Sequence, residues 1–414
     1  MDTFRQTESA ASILKYDVAI TGGGMVGMTL ALALAKNPEL SIVILESNED
    51  NAPFLTEQYH HRVSAAALSS VRIFQSLQVW QNIKMMRVSP FTAIQVWDCA
   101  SPAQLDFVSN EIGEPVLGYI IENNVMQHAL REKLKAYPQI HFVSPVKLTA
   151  CLQQEDDVTL IADDDTQYRA KLAVAADGAQ SWLRQQAGIS VQTTDYDQHA
   201  IVAAVETELP HQKIARQVFL PSGPLAFLPL ADAHTSSIVW SLPKDRASAL
   251  KEMDEDAFKL RLGAAFNERL GAVKSVSRRF TFPLKKQQAE TYAAGRIVLV
   301  GDAAHVMHPL AGQGLNIGLL DAACLAEVIL DALNAGRDFA GTSSLRRYER
   351  WRRADNLAML TGVDLIKQLF ASDNMPVQTM RSLGMTLTGR MAILKNIFTR
   401  YAVGSRDGLP SLAL

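Results

Sequence analysis

The sequence predicts an α/β fold in which a parallel sheet is interrupted by a second, separate sheet and followed by a helical C-terminal region. Three observations carry this. Residues 16–21 and 41–46 are short apolar strands flanking a glycine cluster and a helix rich in Ala, Leu and Met. Between Ala200 and Pro243 β-rich runs recur at 200–205, 217–220 and 237–242. From Gly314 onward the pattern is almost entirely helical, with an interruption near Met375-Pro376.

The first unit reads strand, tight glycine turn, helix at 25–36, strand. Such a βαβ unit joins parallel strands through a crossover helix, so the sheet it belongs to is covered on its faces. Residues 62–80 have helical spacing through Leu68, Val71, Phe74 and Leu77. Residues 124–137 are a further expected helix. From 146 to 176 short strands are broken by the acidic turns Glu155-Asp156-Asp157 and Asp163-Asp164-Asp165, read as solvated hairpin loops rather than metal sites. Residues 296–300 form a buried strand that enters a second glycine-rich turn.

Composition narrows the function classes. With 40 Lys and Arg against 43 Asp and Glu, the net charge of -3 gives no sign of general nucleic-acid affinity. Cys99, Cys151 and Cys324 form no C-x-x-C pair, which argues against zinc knuckles and a disulfide framework. Residues 1–16 lack the apolar core of a signal peptide, and no stretch reaches the roughly 18 apolar residues of a membrane span. The expected location is cytoplasmic, with a membrane-surface position left open.

Three segments carry chemistry. Gly22-Gly23-Gly24-Met25-Val26-Gly27 fits G-x-G-x-x-G. In that pattern Gly22 makes the tight turn, Gly24 lets backbone approach a pyrophosphate, and Gly27 permits close helix–strand packing. The helix start that follows offers free N–H groups and a positive dipole end. Glu46, nineteen positions after Gly27 at the end of the second strand, is placed to accept ribose hydroxyls. The unit is Rossmann-like and binds an ADP moiety, without deciding between NAD and FAD. Ala176-Asp177-Gly178, with Ser181 and Arg184 beyond, ends the strand 172–175, where ligands of α/β sheets collect. Gly301-Asp302-Ala303-Ala304-His305 continues through His308, Pro309, Gly312-Gln313-Gly314-Leu315-Asn316, Gly318 and Asp321. Asp302 can bond a polyol hydroxyl there, and the helix start near Gly314 can stabilise negative charge on a reduced ring system.

In this order the three segments resemble the aromatic-ring flavin hydroxylases typified by p-hydroxybenzoate hydroxylase. Arg62 after the second strand and Arg347-Tyr348-Glu349 extend the resemblance over most of the chain. It implies FAD as cofactor, held by Gly22, Gly24, Gly27, Glu46, Arg62, Asp177, Asp302, Pro309, Gly312, Gly314, Leu315 and Asn316. Within that group the chain is most similar to the ubiquinone-biosynthesis hydroxylases, through 196–200, 215–219, 226–230, 239–242 and 302–314. The middle portion resembles the branch acting at ring carbon 5, and the tail (353–356 and 381–384) the branch acting at carbon 6. Where many relatives carry an Arg that contacts the flavin, this chain has Glu122-Asn123-Asn124, so Asn123 is expected to take a reduced role.

The resemblance implies that NAD(P)H reduces FAD, O2 adds at the flavin C4a position as a hydroperoxide, and oxygen passes to an electron-rich polyprenylphenol. One dinucleotide fingerprint is present, so the nicotinamide donor would bind transiently. No acid/base dyad stands out; the catalytic residue stays unknown, and His305 is read as structural ahead of proton transfer. The expected organisation is an FAD-binding domain from 14–85, 115–186 and 283–350. A substrate domain follows from 86–114 and 187–282, and a helical region from 351–414. Residues 375–406 carry Arg381, Arg390, Lys395, Arg400 and Arg406 and no acid. Met380, Leu383, Leu387, Met391, Leu394, Phe398 and Tyr401 recur at spacings of three or four. This basic amphipathic pattern suits either a membrane surface or a helix packed on its own domain. Deleting 375–414 is expected to abolish sedimentation with anionic liposomes while FAD stays bound. Other readings are a different flavoenzyme, such as a prenyl reductase or a halogenase (the W-x-W-x-I-P motif is absent), and an FAD-stabilised non-catalytic subunit of a biosynthetic complex.

Overall fold

The computed structural model describes residues 12–49, 58–99, 104–307, 314–371, 404 and 408–414. Strand β1 (Ile13–Thr21) leads through the glycine turn into helix α1 (Met25–Leu34) and strand β2 (Ile42–Leu45). From Gly27 to Leu34 every residue of α1 is buried. A helix apolar on all sides must be covered on all sides. It packs between helix Gly314–Asn334 and helix Asn123–Leu134.

Among the described residues the first sheet has the order Ala293–Ala294, Ile297–Leu299, Gln167–Ala175, β1, β2, Ile140–Val143. The pairs from Ile297–Leu299 through Ile140–Val143 are parallel. The hairpin Leu148–Gln153 and Val158–Ala162 adds to the first half of Gln167–Ala175. Its acidic turns are surface features: Asp157 bonds Arg169 Nε at 2.8 Å.

A second, separate sheet runs in the order His305–Val306, Phe280–Ala289, Val191–Thr207, Thr235–Pro243, Gly223–Pro229, Ile214–Leu220, Ala93–Asp98, Gln104–Val108. Its two faces differ. Ile201, Ala203, Leu225, Phe227, Trp240 and Leu242 pack with Phe258, Leu262 and Phe266 under helices Lys244–Glu252 and Glu255–Ala265. Alternate residues of the same strands, Ala204, Ala215 and Leu228, pack against Leu68, Phe91 and Ile120 beside the three-stranded sheet Val63–Ala67, Gly118–Glu122, Val88–Phe91. Successive side chains of a strand point to opposite faces, so one face is sealed by helices and the other looks at the cofactor-side unit. Strand His305–Val306 follows the second glycine turn directly and pairs with Gln287 and Gln288, tying the two sheets together.

Two expectations change. Residues 62–80 are not one helix: Val63–Ala67 is a strand paired with Gly118–Glu122, and helix Leu68–Ser76 begins only at Leu68. The apolar positions with helical spacing all lie at or after Leu68, so the helical signal never covered the strand. The boundary at 283 falls inside strand Phe280–Ala289, and 88–91 pairs within the three-stranded sheet.

Helix Thr342–Ala371 follows Gly314–Asn334. The basic amphipathic stretch lies outside the described residues apart from Gly404. Residues beyond it return to the core: Leu409, Leu412 and Ala413 are buried. Ser76 Oγ donates to Leu412 O at 3.2 Å, and Ser411 N to Glu327 Oε2 at 2.7 Å. A deletion through 414 therefore removes core contacts as well as the basic stretch. No described helix is long and apolar enough to cross a membrane.

Candidate active site

Four loops emerge side by side from the C-terminal ends of adjacent parallel strands. In register, Thr21 sits beside Leu45 and Ala175, and Ala175 beside Leu299. The next residues are Gly22, Glu46, Ala176-Asp177 and, after Val300, Gly301-Asp302. Ligands of open α/β sheets bind in a crevice of this kind.

The glycine turn is shaped by contact. Gly22 has φ +100°, and a Cβ there would lie 2.4 Å from the Ala176 carbonyl oxygen. At Gly27 a Cβ would come 2.2 Å from the Gly22 oxygen, so helix and strand close only on glycine. Gly24 differs: a Cβ would meet nothing within 4 Å. Its backbone, at the N-cap of α1, faces open space, as close approach by a pyrophosphate requires.

Glu46 lies in the crevice, with both carboxylate oxygens engaged. Oε2 accepts from Gly23 N at 2.7 Å, while Oε1 accepts from Asn48 N at 2.9 Å and Asn48 Nδ2 at 2.8 Å. The carboxylate thus braces the glycine turn, and Oε2, with a single donor, keeps a lone pair for a hydroxyl. Asp177 faces its own helix start, accepting from Leu183 N at 3.1 Å through Oδ2. Its Oδ1 is buried without a partner among the described residues. Burial pushes the Asp177 carboxyl pKa up, against hydrogen bonds from Ser181 and backbone amides.

Asp302 is exposed by surface area yet walled by protein, the situation of a side chain lining a cleft. That surrounding mass raises its pKa, and the charges of His305 and Arg62 pull it back. Arg62 is exposed, its guanidinium carbon 5.0 Å from the centroid of Phe282 on the second sheet. Asn123, expected in a reduced role, accepts from Ser64 Oγ at 2.8 Å and donates its N–H to Arg62 O at 3.0 Å. It braces the Arg62 segment.

Gly314 and Leu315 open the long helix, with Leu315 half-buried against the first core. The Asn316 side chain is directed away from solvent: Oδ1 accepts from Ala67 N at 2.9 Å and Ser70 Oγ at 2.7 Å, and Nδ2 donates to Ala65 O at 2.9 Å. It fixes the helix start against strand Val63–Ala67. Pro309 and Gly312 lie outside the described residues, as do His308 and Gln313.

Two groups, Arg184 and Asp321, matter more than their sequence context suggested. Arg184, buried, donates from Nη1 to Ala303 O and from Nη2 to Ala179 O, each at 2.9 Å, locking the second segment to the third. Asp321, wholly buried, receives His305 Nε2 at 2.5 Å and Arg352 Nε at 2.7 Å. Burial alone would raise its pKa; the charges of His305 and Arg352 instead hold it down at about 2. The available signal was an acid within the apolar first half of helix Gly314–Asn334, before Glu327 and Asp331.

FAD fits these residues on three counts. The Gly24 backbone is open where a Cβ would project, a walled carboxylate at Asp302 faces the cleft, and the four strand-end loops form one continuous edge. When bound, the flavin supplies the redox chemistry and the activation of oxygen.

The FAD binding domain family model matches residues 15–361. The chain is 39% identical over 389 residues to ubiquinone hydroxylase UbiL of Rhodospirillum rubrum, covering 94% of this chain and 90% of the relative. It is 37% identical to 3-demethoxyubiquinol 3-hydroxylase of Escherichia coli, covering 94% and 98%. Human ubiquinone biosynthesis monooxygenase COQ6 is 33% identical, covering 97% and 95%. Among solved structures, p-nitrophenol 4-monooxygenase PnpA from Pseudomonas putida superposes with a TM-score of 0.78 at 19% identity, covering 95% and 99%. That last likeness speaks to the fold alone.

Proposed function

The chain belongs to the FAD-binding domain family, in its monooxygenase branch, and from that premise we propose that it hydroxylates the aromatic ring of a polyprenylphenol in ubiquinone biosynthesis. One observation carries the reading at the level of the site. The four strand-end loops and the unsealed face of the second sheet are tied to one another by strand His305–Val306, which begins three residues after Asp302. Cofactor and ring can then meet between a nucleotide crevice and an apolar floor.

Gly22, Gly24 and Gly27 shape the pyrophosphate turn, Glu46 braces it and accepts a ribose hydroxyl, and Asp302 takes the polyol chain. Asp177, Arg62, Gly314, Leu315 and Asn316 frame the site, with Pro309 and Gly312 assigned from sequence. The floor is the row Val202, Val239, Ala226, Gln217, neighbours in cross-strand register. It is apolar except for one amide, as a site for a phenol ring demands. Work on the protein side consists of orienting the ring and excluding water. NAD(P)H serves as a transient donor without a domain of its own. The division into cofactor residues 14–85, 115–186 and 283–350 and substrate residues 86–114 and 187–282 follows these roles once strand Phe280–Ala289 is kept whole with the substrate sheet and 88–91 with the three-stranded sheet. Residues 375–406 would bring the enzyme to the inner-membrane surface or a biosynthetic complex, where a polyprenyl substrate resides.

The test is lipid extraction and mass spectrometry of cells lacking the gene, with NAD(P)H oxidation and oxygen uptake by the purified protein. Loss of ubiquinone with accumulation of a less-hydroxylated prenylphenol is the expected result, and the mass of the intermediate identifies the ring carbon. Normal ubiquinone together with substrate-dependent oxygen uptake on another phenol would overturn the pathway. NAD(P)H oxidation without oxygen uptake would indicate a reductase.

A further inference from the structure

We propose that Asp321 is a positioning residue for the cofactor, holding the turn that carries Asp302 on one carboxylate oxygen and the last helix on the other. This rests on the FAD reading above. The Asp321 side chain is wholly buried and accepts four hydrogen bonds. Oδ2 takes Gly301 N at 3.0 Å and His305 Nε2 at 2.5 Å. Oδ1 takes Arg352 Nε at 2.7 Å and Asn356 Nδ2 at 3.1 Å. The division is complete: one oxygen serves the residues that bracket Asp302, the other serves helix Thr342–Ala371.

Further along the turn, Ala303 O is held by Arg184 Nη1 at 2.9 Å and Ala304 O by Ala289 N at 2.8 Å, while the residues on either side of Asp302 are tied through Asp321. Gly301 has φ +61°, a left-handed conformation in which a free chain would not rest on a non-glycine residue. Gly318 of the long helix approaches so closely that a Cβ there would lie 2.8 Å from Val26 and 3.3 Å from Gly301 Cα. Packing therefore sets how near the turn comes, while the Asp321 bonds set how it is rotated. Rotation decides where the Asp302 carboxyl points. A buried carboxylate is a costly tie unless fully paired, and apolar packing would hold two helices together as well. What apolar packing lacks is direction, which Gly301 N–H and His305 Nε2–H require. Arg352 completes the arrangement, since its other nitrogens bond Asp355 Oδ2 at 2.6 Å and Asn356 Oδ1 at 2.7 Å. Asn356 also reaches Tyr292 OH at 3.3 Å, linking the helix back to the segment before the turn.

The experiment is FAD titration of full-length apoprotein by flavin fluorescence quenching for wild type, Asp321→Asn and Asn356→Ala, with the visible spectrum and reduction potential of each saturated protein. Asp321→Asn puts an amide against donors. The expected result is an FAD dissociation constant raised at least tenfold, with a shifted spectrum and potential at saturation. Asn356→Ala removes one bond from Oδ1, along with those to Arg352 and Tyr292 OH, and leaves the turn's own bonds in place, so it keeps the test open if Asp321→Asn does not fold. It should raise the constant about threefold and move the spectrum the same way. Saturated variants with wild-type spectrum and potential, and constants within twofold, would overturn the positioning role. Wild-type apoprotein that takes up no FAD would overturn the cofactor reading instead.

Discussion

Arg184 and Ala303 stand 119 positions apart in the chain and are joined by a 2.9 Å hydrogen bond from Nη1 to the backbone oxygen. The same guanidinium holds Ala179 O, so one buried cation links two loops of the cofactor crevice beyond the paired strands Gln167–Ala175 and Ile297–Leu299 that deliver them. Replacing it with Met keeps the bulk and leaves the buried Ala303 carbonyl and the part-buried Ala179 carbonyl without this donor. Each such group costs about 1–3 kcal/mol, so Arg184→Met should lose roughly 2–4 kcal/mol in urea unfolding of the apoprotein. Arg184→Lys supplies one donor head in place of a fork and should recover less than half. Unfolding midpoints equal to wild type would contradict this account.

The glycine turn offers a separation of binding from folding. At Gly24 a Cβ meets nothing within 4 Å, whereas at Gly27 it would lie 2.2 Å from the Gly22 oxygen. Gly24→Ala should leave apoprotein stability within about 1 kcal/mol of wild type and weaken FAD binding at least tenfold. Gly27→Ala should cost about 2 kcal/mol or more by forcing strand and helix apart. Thermal unfolding of the apoproteins beside FAD titration reads both effects.

These two sites also show what the sequence made legible. Gly22, Gly24, Gly27 and Glu46 sit within one short local unit, so their spacing alone located the crevice. Strand Val63–Ala67 is not legible in the sequence because its partner, Gly118–Glu122, lies more than fifty residues away and leaves no periodic trace in five residues. The Glu46 carboxylate was expected to serve the ligand, and its bond to Gly23 N depends on how the turn folds back over β2. Arg184 and Asp321 act through backbone oxygens and buried ions, partners that no motif spacing encodes. In Val191–Thr207 the register shifts between Asp195 and Gln198, so simple alternation does not assign its faces along the whole length.

Acid stability should follow the sign of the carboxylate shifts. Asp321 is lowered from 3.8 to about 2, so it adds stability that is complete above its ordinary value and lost as pH falls from about 4 to 2. Asp177 and Asp302 are raised, chiefly by burial, and their ionisation opposes folding until the pH drops through their raised values. The apoprotein should therefore hold or gain stability just above pH 4 and lose it below. The Asp321 share is on the order of 2 kcal/mol. Asp321→Asn should flatten the loss below pH 4 in urea midpoints measured from pH 6 to pH 2; an equally steep loss would assign acid unfolding to other groups.

Membrane attachment needs a test that spares the core, because Leu412 and Ala413 are buried and Ser411 N bonds Glu327. Substituting Arg381, Arg390, Lys395, Arg400 and Arg406 together with Gln leaves those contacts in place. Each basic residue near an anionic surface contributes about 1 kcal/mol. The substituted protein should fail to sediment with anionic liposomes and keep its FAD. Undiminished sedimentation would place the stretch against its own domain.

The sharpest test of the substrate floor uses two neighbours on one strand. Ala226 and Phe227 belong to Gly223–Pro229, and their side chains point to opposite faces. Phe227 stacks on Phe266 with centroids 3.8 Å apart under the helices of the second sheet. Ala226 sits between Gln217 and Val239 in cross-strand register, on the face whose cluster includes Leu228 and Ala215. Ala226→Phe adds a ring where the substrate ring would lie. It should raise KM for the prenylphenol and lower kcat/KM at least tenfold, while FAD affinity and urea midpoint stay near wild type. Phe227→Ala should do the reverse, costing about 3–5 kcal/mol of stability with kcat/KM per folded molecule changed less than threefold. If Ala226→Phe instead weakens FAD and spares KM, the row belongs to the cofactor side and the phenol binds elsewhere. Equal loss of stability from both variants would mean that neither face is open, and the floor assignment would fall.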